Sequence, residues 1–309
     1  MQPGVPRRQH TVTEAILRKF TDPETGQLEE FNLNFEIPRP KSPRLVGFVW
    51  DFVEFEQAAT EQVWKNVEDD LPVMYAALTG GSLHQDPRAT QVARDVLALH
   101  DVRSRTRKQI HEIVLERSKS KLFDIMMEQK DYLSQRYYER CGYFPAGDEL
   151  FAEQARIEVE ITRELLNDPE FFRSRLLVNF EENRKLLKNF SVEVIQAGSK
   201  DFMICDDPAV RIKHGYRGLG PLTGVAWDET NALVMPVSPK FAISMAPVAK
   251  LHDADHVMTA FINRIQLSNA HERVFYKPSM ELRALVKRAP AARRSRPEGL
   301  GPTLIDLDD

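Results

Sequence analysis

The sequence predicts an α+β fold: a mainly antiparallel sheet, made of an N-terminal strand and the C-terminal strands, covered by a large central helical region. Three observations predict it. The β-rich runs FSVEVIQA, DFMICD, NALVMPVSP and KFAISMA crowd residues 190–246 and are separated by Gly, Ser, Pro and Asp. Helix caps and apolar spacing dominate about 51–188, so helices and strands are segregated rather than alternating. Near the N-terminus Phe31, Leu33, Phe35 and Ile37 alternate with Asn32, Asn34 and Glu36, the period of a half-buried strand. The expected layout is one domain over 1–282, its strand-rich part at about 190–277, and a flexible charged tail over 283–309.

In chain order, Thr11 and Glu14 have capping-box spacing. They predict a short helix burying Ile16, Leu17 and Phe20, ended by the turn Asp22-Pro23-Glu24-Thr25-Gly26. The alternating strand follows, then a proline-rich segment over 38–43. Asp51 and Glu54 have N-cap and N3 spacing ahead of the helical stripe Phe52, Phe55, Ala59, Val63 and Val67. Gly80-Gly81 and Asp86-Pro87 divide this region, and a long helical stretch runs from about 88 to 140, closing on Gly142. Another extends from Gly147-Asp148 to Asn167, and Asp168-Pro169 opens a third that reaches about Lys188. After the strands, a helix is expected over 253–269 with Val257, Ala260, Phe261, Ile262 and Ile265 inward. The tail carries six Lys or Arg between Arg283 and Arg296 with no acid, then turns acidic at LIDLDD, a composition typical of disorder.

Bulk properties exclude more than they name. A formal charge of −4 speaks against a generalised basic surface for nucleic acid, leaving only a local patch. Cys141 and Cys205 lie outside any disulfide or metal-binding spacing. The N-terminus lacks the apolar core of a secretory signal, and no segment reaches the ~20 apolar residues needed to span a bilayer. A cytoplasmic location without membrane association is expected. Walker, dinucleotide, nucleophile-elbow and zinc-knuckle motifs are missing, and the glycine-rich stretch 215–224 reads as a loop.

Candidate chemistry concentrates in three segments. On a continuous helix His100, Arg103, Arg107 and His111 share an arc of about 80°, an anion-binding face if it borders a cleft and a solvated stripe if it does not. Asp206 and Asp207 end an apolar run, where a strand fixes the backbone and a loop frees the carboxylate. Adjacent residues on a strand point apart, and Asp-Asp-Pro is also ordinary turn chemistry. His10 precedes the first helix and is the natural acid or base near neutral pH. Glu54 and Glu56 suit a helix start, and His252 and His256 form a weak i, i+4 pair.

These pieces together resemble a bacterial family catalogued as domain of unknown function 4238. The resemblance rests on Gln9-His10 followed by Leu17-Arg18-Lys19-Phe20, on Cys205-Asp206-Asp207-Pro208-Ala209, on Pro236-Val237-Ser238-Pro239, on LHDVRSRTR, and on FINRIQLSNAHERVFY, which is similar to the family's closing helix and terminal strand. It covers about 8–277. Thr11 after the histidine, and Cys205, Asp207 and Ala209, depart from the family's usual residues, so Asp206 and Pro208 are the matched pair. The resemblance singles out His10, Arg103, Asp206 and Asn263 and implies no activity or cofactor. The leading expectation is a hydrolase-like pocket for a phosphate-containing nucleotide or nucleic-acid substrate. His10, His100 and Asp206 would be catalytic, and Arg103, Arg107 and Asn263 would bind substrate, with no metal site assigned and the cofactor unknown. The rival is a non-catalytic binding module in which the same groups form a buried structural network.

Overall fold

The computed structural model describes residues 8–50, 52, 58–213 and 227–294. The order of elements is β1 (Arg8–His10), α1 (Glu14–Leu17), β2 (Leu28–Asn32), β3 (Ile37–Lys41), β4 (Phe48–Trp50), α2 (Ala58–Asp69), α3 (Leu71–Thr79), α4 (Pro87–Val102), α5 (Arg105–Glu128), α6 (Lys130–Cys141), α7 (Asp148–Asn167) and α8 (Pro169–Leu187). Then follow β5 (Ser191–Ala197), β6 (Ile204–Cys205), β7 (Val210–Ile212), β8 (Ala232–Pro236), β9 (Phe241–Ala246), β10 (Lys250–Ala254), α9 (His256–Asn269), β11 (Arg273–Tyr276) and α10 (Met280–Arg294). This is an α+β fold, as the segregation of elements predicts.

Among the described residues the strands form three sheets rather than one. A four-stranded antiparallel sheet runs β3-β2-β11-β6, a five-stranded sheet runs β10-β5-β9-β8-β7, and β1 pairs with β4 in a two-stranded ribbon. The N-terminal β2 therefore does join C-terminal strands, Arg273 facing Asn32 and Val274 facing Phe31. Among the described residues all pairings are antiparallel except β10 with β5. The alternating run over 31–37 is a hairpin, not one strand. Asn32 accepts the amides of Asn34 and Phe35 at 2.9 and 3.2 Å, turning the chain so that Phe35 and Ile37 are exposed. Asparagine turn chemistry here overrides the period. Pro38 and Pro40 are tolerated because β3 is an edge strand.

Helix starts agree closely with their caps. The Asp86 carboxylate accepts the amides of Arg88 and Ala89, Asp168 accepts that of Glu170, and Gly142 closes α6 at φ +80°. The Thr11–Glu14 capping box does not form: Thr11 donates to the Gly47 carbonyl, and the α1 cap is Thr13, which makes no side-chain cap bond. Ile16, Leu17 and Phe20 are nevertheless buried. The helix expected to start at Asp51 begins, among the described residues, at Ala58; Asp51, Glu54 and Glu56 lie outside the described residues, as does the loop 215–224. The tail expected to be flexible from Arg283 is helical to Arg294, because Leu282, Val286 and Ala289 enter an apolar core with Phe31, Val274 and Leu267. Residues 295–309 lie outside the described ones.

Two compact units divide the chain, where one domain is expected. Unit 1 comprises Met1–Arg107 and Leu176–Asp309 and holds the three sheets. There α9 serves two cores: Ile262 and Ile265 pack with the five-stranded sheet, and Leu267, with Ala270 just past the helix end, with the four-stranded one. Val257 and Phe261, expected inward, are exposed. Unit 2, Lys108–Arg175, is helical; within it Glu158 is buried and receives Tyr132, Arg136 and Gln154. Among the described residues no helix is long and apolar enough to cross a membrane.

Candidate functional site

The chain breaks its helix at Arg103-Ser104, and that break decides where the predicted residues go. With α4 ending at Val102 and α5 starting at Arg105, the arc of His100, Arg103 and Arg107 assumed for a continuous helix does not exist. His100 is 1% exposed. Its Nδ1 lies 2.9 Å from the Val96 carbonyl and its Nε2 takes the Thr13 amide at 3.4 Å, which fixes a neutral ring with the hydrogen on Nδ1. Burial, helped by the Arg103 charge, lowers its pKa to about 4. Arg103 is buried, pairs with Glu68 at 2.9 Å, lies over the Trp64 ring and donates to the His10 carbonyl. Arg107 turns to Asp101 at 2.7 Å, a carboxylate shared with Arg211 and Asn183. The side chain of His111 lies outside the described residues.

Asn263 faces the chain's own backbone. Its Oδ1 accepts the Met203 amide at 2.9 Å and its Nδ2 donates to the Asp201 carbonyl at 3.0 Å. Gln266 repeats the pattern with Cys205 and Pro208, and Asn269 donates to the Asp207 carbonyl. Three amides at three-residue spacing on α9 thus satisfy backbone groups of residues 201–208 in addition to the pairing of β6 with β11. His252 sits on β10 and pairs with Glu193 of β5, so it has no helical spacing to His256.

The two aspartates diverge, as neighbours on an extended chain must. Asp206 accepts the amides of His271, Glu272 and Arg273 at 2.8, 3.0 and 3.2 Å and the Arg105 guanidinium at 3.3 Å. Burial raises its pKa against the pull of His271 and Arg105. Asp207, 1% exposed, accepts Ser104 Oγ at 2.8 Å and the Thr106 amide at 3.1 Å, and also bonds the Thr106 hydroxyl and His271 Nε2. It thereby caps α5. Burial pushes its carboxyl up, but His271, Thr106 and Ser104 outweigh that and hold it below the usual range. Thr106 and Asp207 both meet the same ring nitrogen of His271, which is not the relay geometry of a nucleophile triad.

An open cleft does lie beside Asp206. It measures about 280 Å³ and is lined by Thr11, Phe48, Val49, Trp50, Arg105, Asp206, Glu272, Arg273 and Phe275, with Gly47 at its edge. Gly47 adopts φ +70°, and a Cβ there would stand 2.6 Å from Leu17, so only glycine lets β4 pass this close to α1. The Gly47 carbonyl accepts the amides of Thr11 and Val12, fixing the β1–β4 ribbon as one wall. Asp206 is the only predicted site residue on the lining. His10 is one step away, its ring 6.0 Å from that of Phe48; burial lowers its pKa, with Arg103 adding to the effect, and its buried Nε2 has no partner.

Arg105 is what sequence reasoning missed. Its side chain is 23% exposed and reaches Asp206 and Glu272 at 3.3 Å each. Charge-assisted bonds of this kind usually measure about 2.7–2.9 Å, the lengths found for Arg103 and Arg107. Arg273 is similarly loose, 3.5 Å from Glu30, with a buried Nε that has no partner. The alternation of arginines in RSRTR was the available signal, hidden by assuming one helix through it.

Residues 8–280 match the family model described as Protein of unknown function (DUF4238). None of the curated proteins and none of the solved structures matches the chain.

Proposed function

We propose that this chain, which belongs to the DUF4238 family, is a binding protein whose β4–β11 cleft takes a small phosphate-bearing ligand on Arg105 and Arg273. The observation that carries the reading is the pair of 3.3 Å contacts of Arg105 inside an open cleft. A guanidinium so loosely held can exchange them for shorter, bidentate bonds to a phosphate. Three backbone amides already satisfy Asp206, and Arg105 and Arg273 also face Glu272 and Glu30 at 3.3 and 3.5 Å, so a phosphate binds by displacing these long contacts.

Hydrolysis of that ligand, the leading expectation from sequence, has less support. His100 is buried and neutral, Asp206 is committed to backbone amides, and the described cleft lining offers no histidine or cysteine. The phosphate class of ligand is kept, and the fully paired surroundings of Arg103 favour the binding reading.

Calorimetric titration with ribose 5-phosphate tests this. Wild type should bind, Arg105→Gln should bind at least about tenfold more weakly, since a charged pair is worth roughly 1.5–3 kcal/mol, and Glu272→Gln should bind more tightly because it frees Arg105. No binding by wild type, or unchanged affinity in both variants, defeats the proposal. Release of inorganic phosphate during the titration would restore the hydrolase reading.

A further inference from the structure

We infer that Trp50 is a stacking platform for a nucleobase, which makes the ligand of the cleft a mononucleotide; this rests on the phosphate site proposed above. Phe48 and Trp50 are two residues apart on β4, hence on one face of the ribbon, and both line the cleft. Trp50 is 62% exposed. Among the described residues no other exposed large apolar side chain lines this cleft.

The aromatic face is already held from one side. The Phe48 ring stands at 90° to Trp50 with centroids 5.9 Å apart, and the Arg8 guanidinium covers Phe48 at 3.8 Å. Phe48 is thereby occupied, while most of the indole is left to a ligand. A cavity lined both by an exposed indole and by two guanidiniums suits a molecule that is planar at one end and anionic at the other. A flat, electron-poor heterocycle stacks well on indole. The volume, about 280 Å³, falls just below the ~300–1,000 Å³ usual for ligand sites, room for one nucleotide unit and not for several.

The test compares AMP, ribose 5-phosphate and a ten-residue oligodeoxyadenylate by titration, read by heat and by tryptophan fluorescence. AMP should bind about tenfold more tightly than ribose 5-phosphate, the order of a single base–aromatic stack, and should quench tryptophan emission. In Trp50→Ala the two ligands should bind equally; Trp50→Phe should restore part of the preference. Equal affinities in wild type overturn the inference while leaving the phosphate site intact. So does a preference that survives in Trp50→Ala, or a decamer that binds more than tenfold tighter than AMP. No binding of any probe overturns both.

Discussion

Behind Thr13, the imidazole of His100 stays neutral down to about pH 4 in the folded protein, against an ordinary value of 6.5. The unfolded chain therefore binds a proton that the folded chain refuses, and stability falls as pH drops from 6.5 towards 4. At about 1.4 kcal/mol per pH unit across that window, His100 alone removes about 3 kcal/mol. Asp101, pushed up to about 6 by burial, acts in the opposite sense. The measurement is thus the difference between wild type and His100→Gln in urea unfolding at pH 7 and pH 4.5: the variant should be the less pH-sensitive, and equal slopes would show that His100 does not set them. The segments singled out from sequence do meet in part, Arg103 reaching the His10 carbonyl, but the partners of the individual side chains differ from those expected. Asp206 stood out because a strand end fixes the backbone and leaves the carboxylate free to find partners, which here are the amides of His271, Glu272 and Arg273. Arg105 and His271 did not stand out, because their meeting with Asp206 and Asp207 depends on a helix break and a distant return of the chain.

Elements with a local chemical start and stop were the most legible. Asp86, Asp168 and Gly142 act within their own turn, so α4, α8 and the end of α6 follow from neighbouring residues alone. Short strands were not: β1, β4 and β7 have three residues each and exist because a partner pairs with them, which no local pattern states. The same holds for α10, whose basic composition suggests disorder until Leu282, Val286 and Ala289 are seen buried against β11 and α9 residues. Leu282→Ala should therefore cost about 2–5 kcal/mol, the range for a buried leucine, measured by urea unfolding. A loss below about 0.5 kcal/mol would mean that this helix is not docked in solution.

On the scale of the whole molecule, the division into two units was illegible because Lys108–Arg175 begins and ends within helices, α5 and α8, that carry no linker composition. The division supplies a probe. All three tryptophans, Trp50, Trp64 and Trp227, belong to unit 1, so tryptophan emission reports that unit alone, whereas far-ultraviolet dichroism reports the helices of both. A ligand that binds only the folded cleft stabilises by about 2.7 kcal/mol at a hundred times its dissociation constant. For a domain of roughly 150–250 residues that raises the midpoint by about 5–10 °C. The cleft residues all belong to unit 1, so AMP at saturation should move the tryptophan-detected melting of wild type by this amount and that of Arg105→Gln hardly at all. Where the dichroism trace shows a second step without a tryptophan counterpart, that step belongs to unit 2 and should not move. If AMP instead shifts only that step, or shifts Arg105→Gln as much as wild type, the ligand is binding elsewhere and the cleft beside Asp206 is not the site.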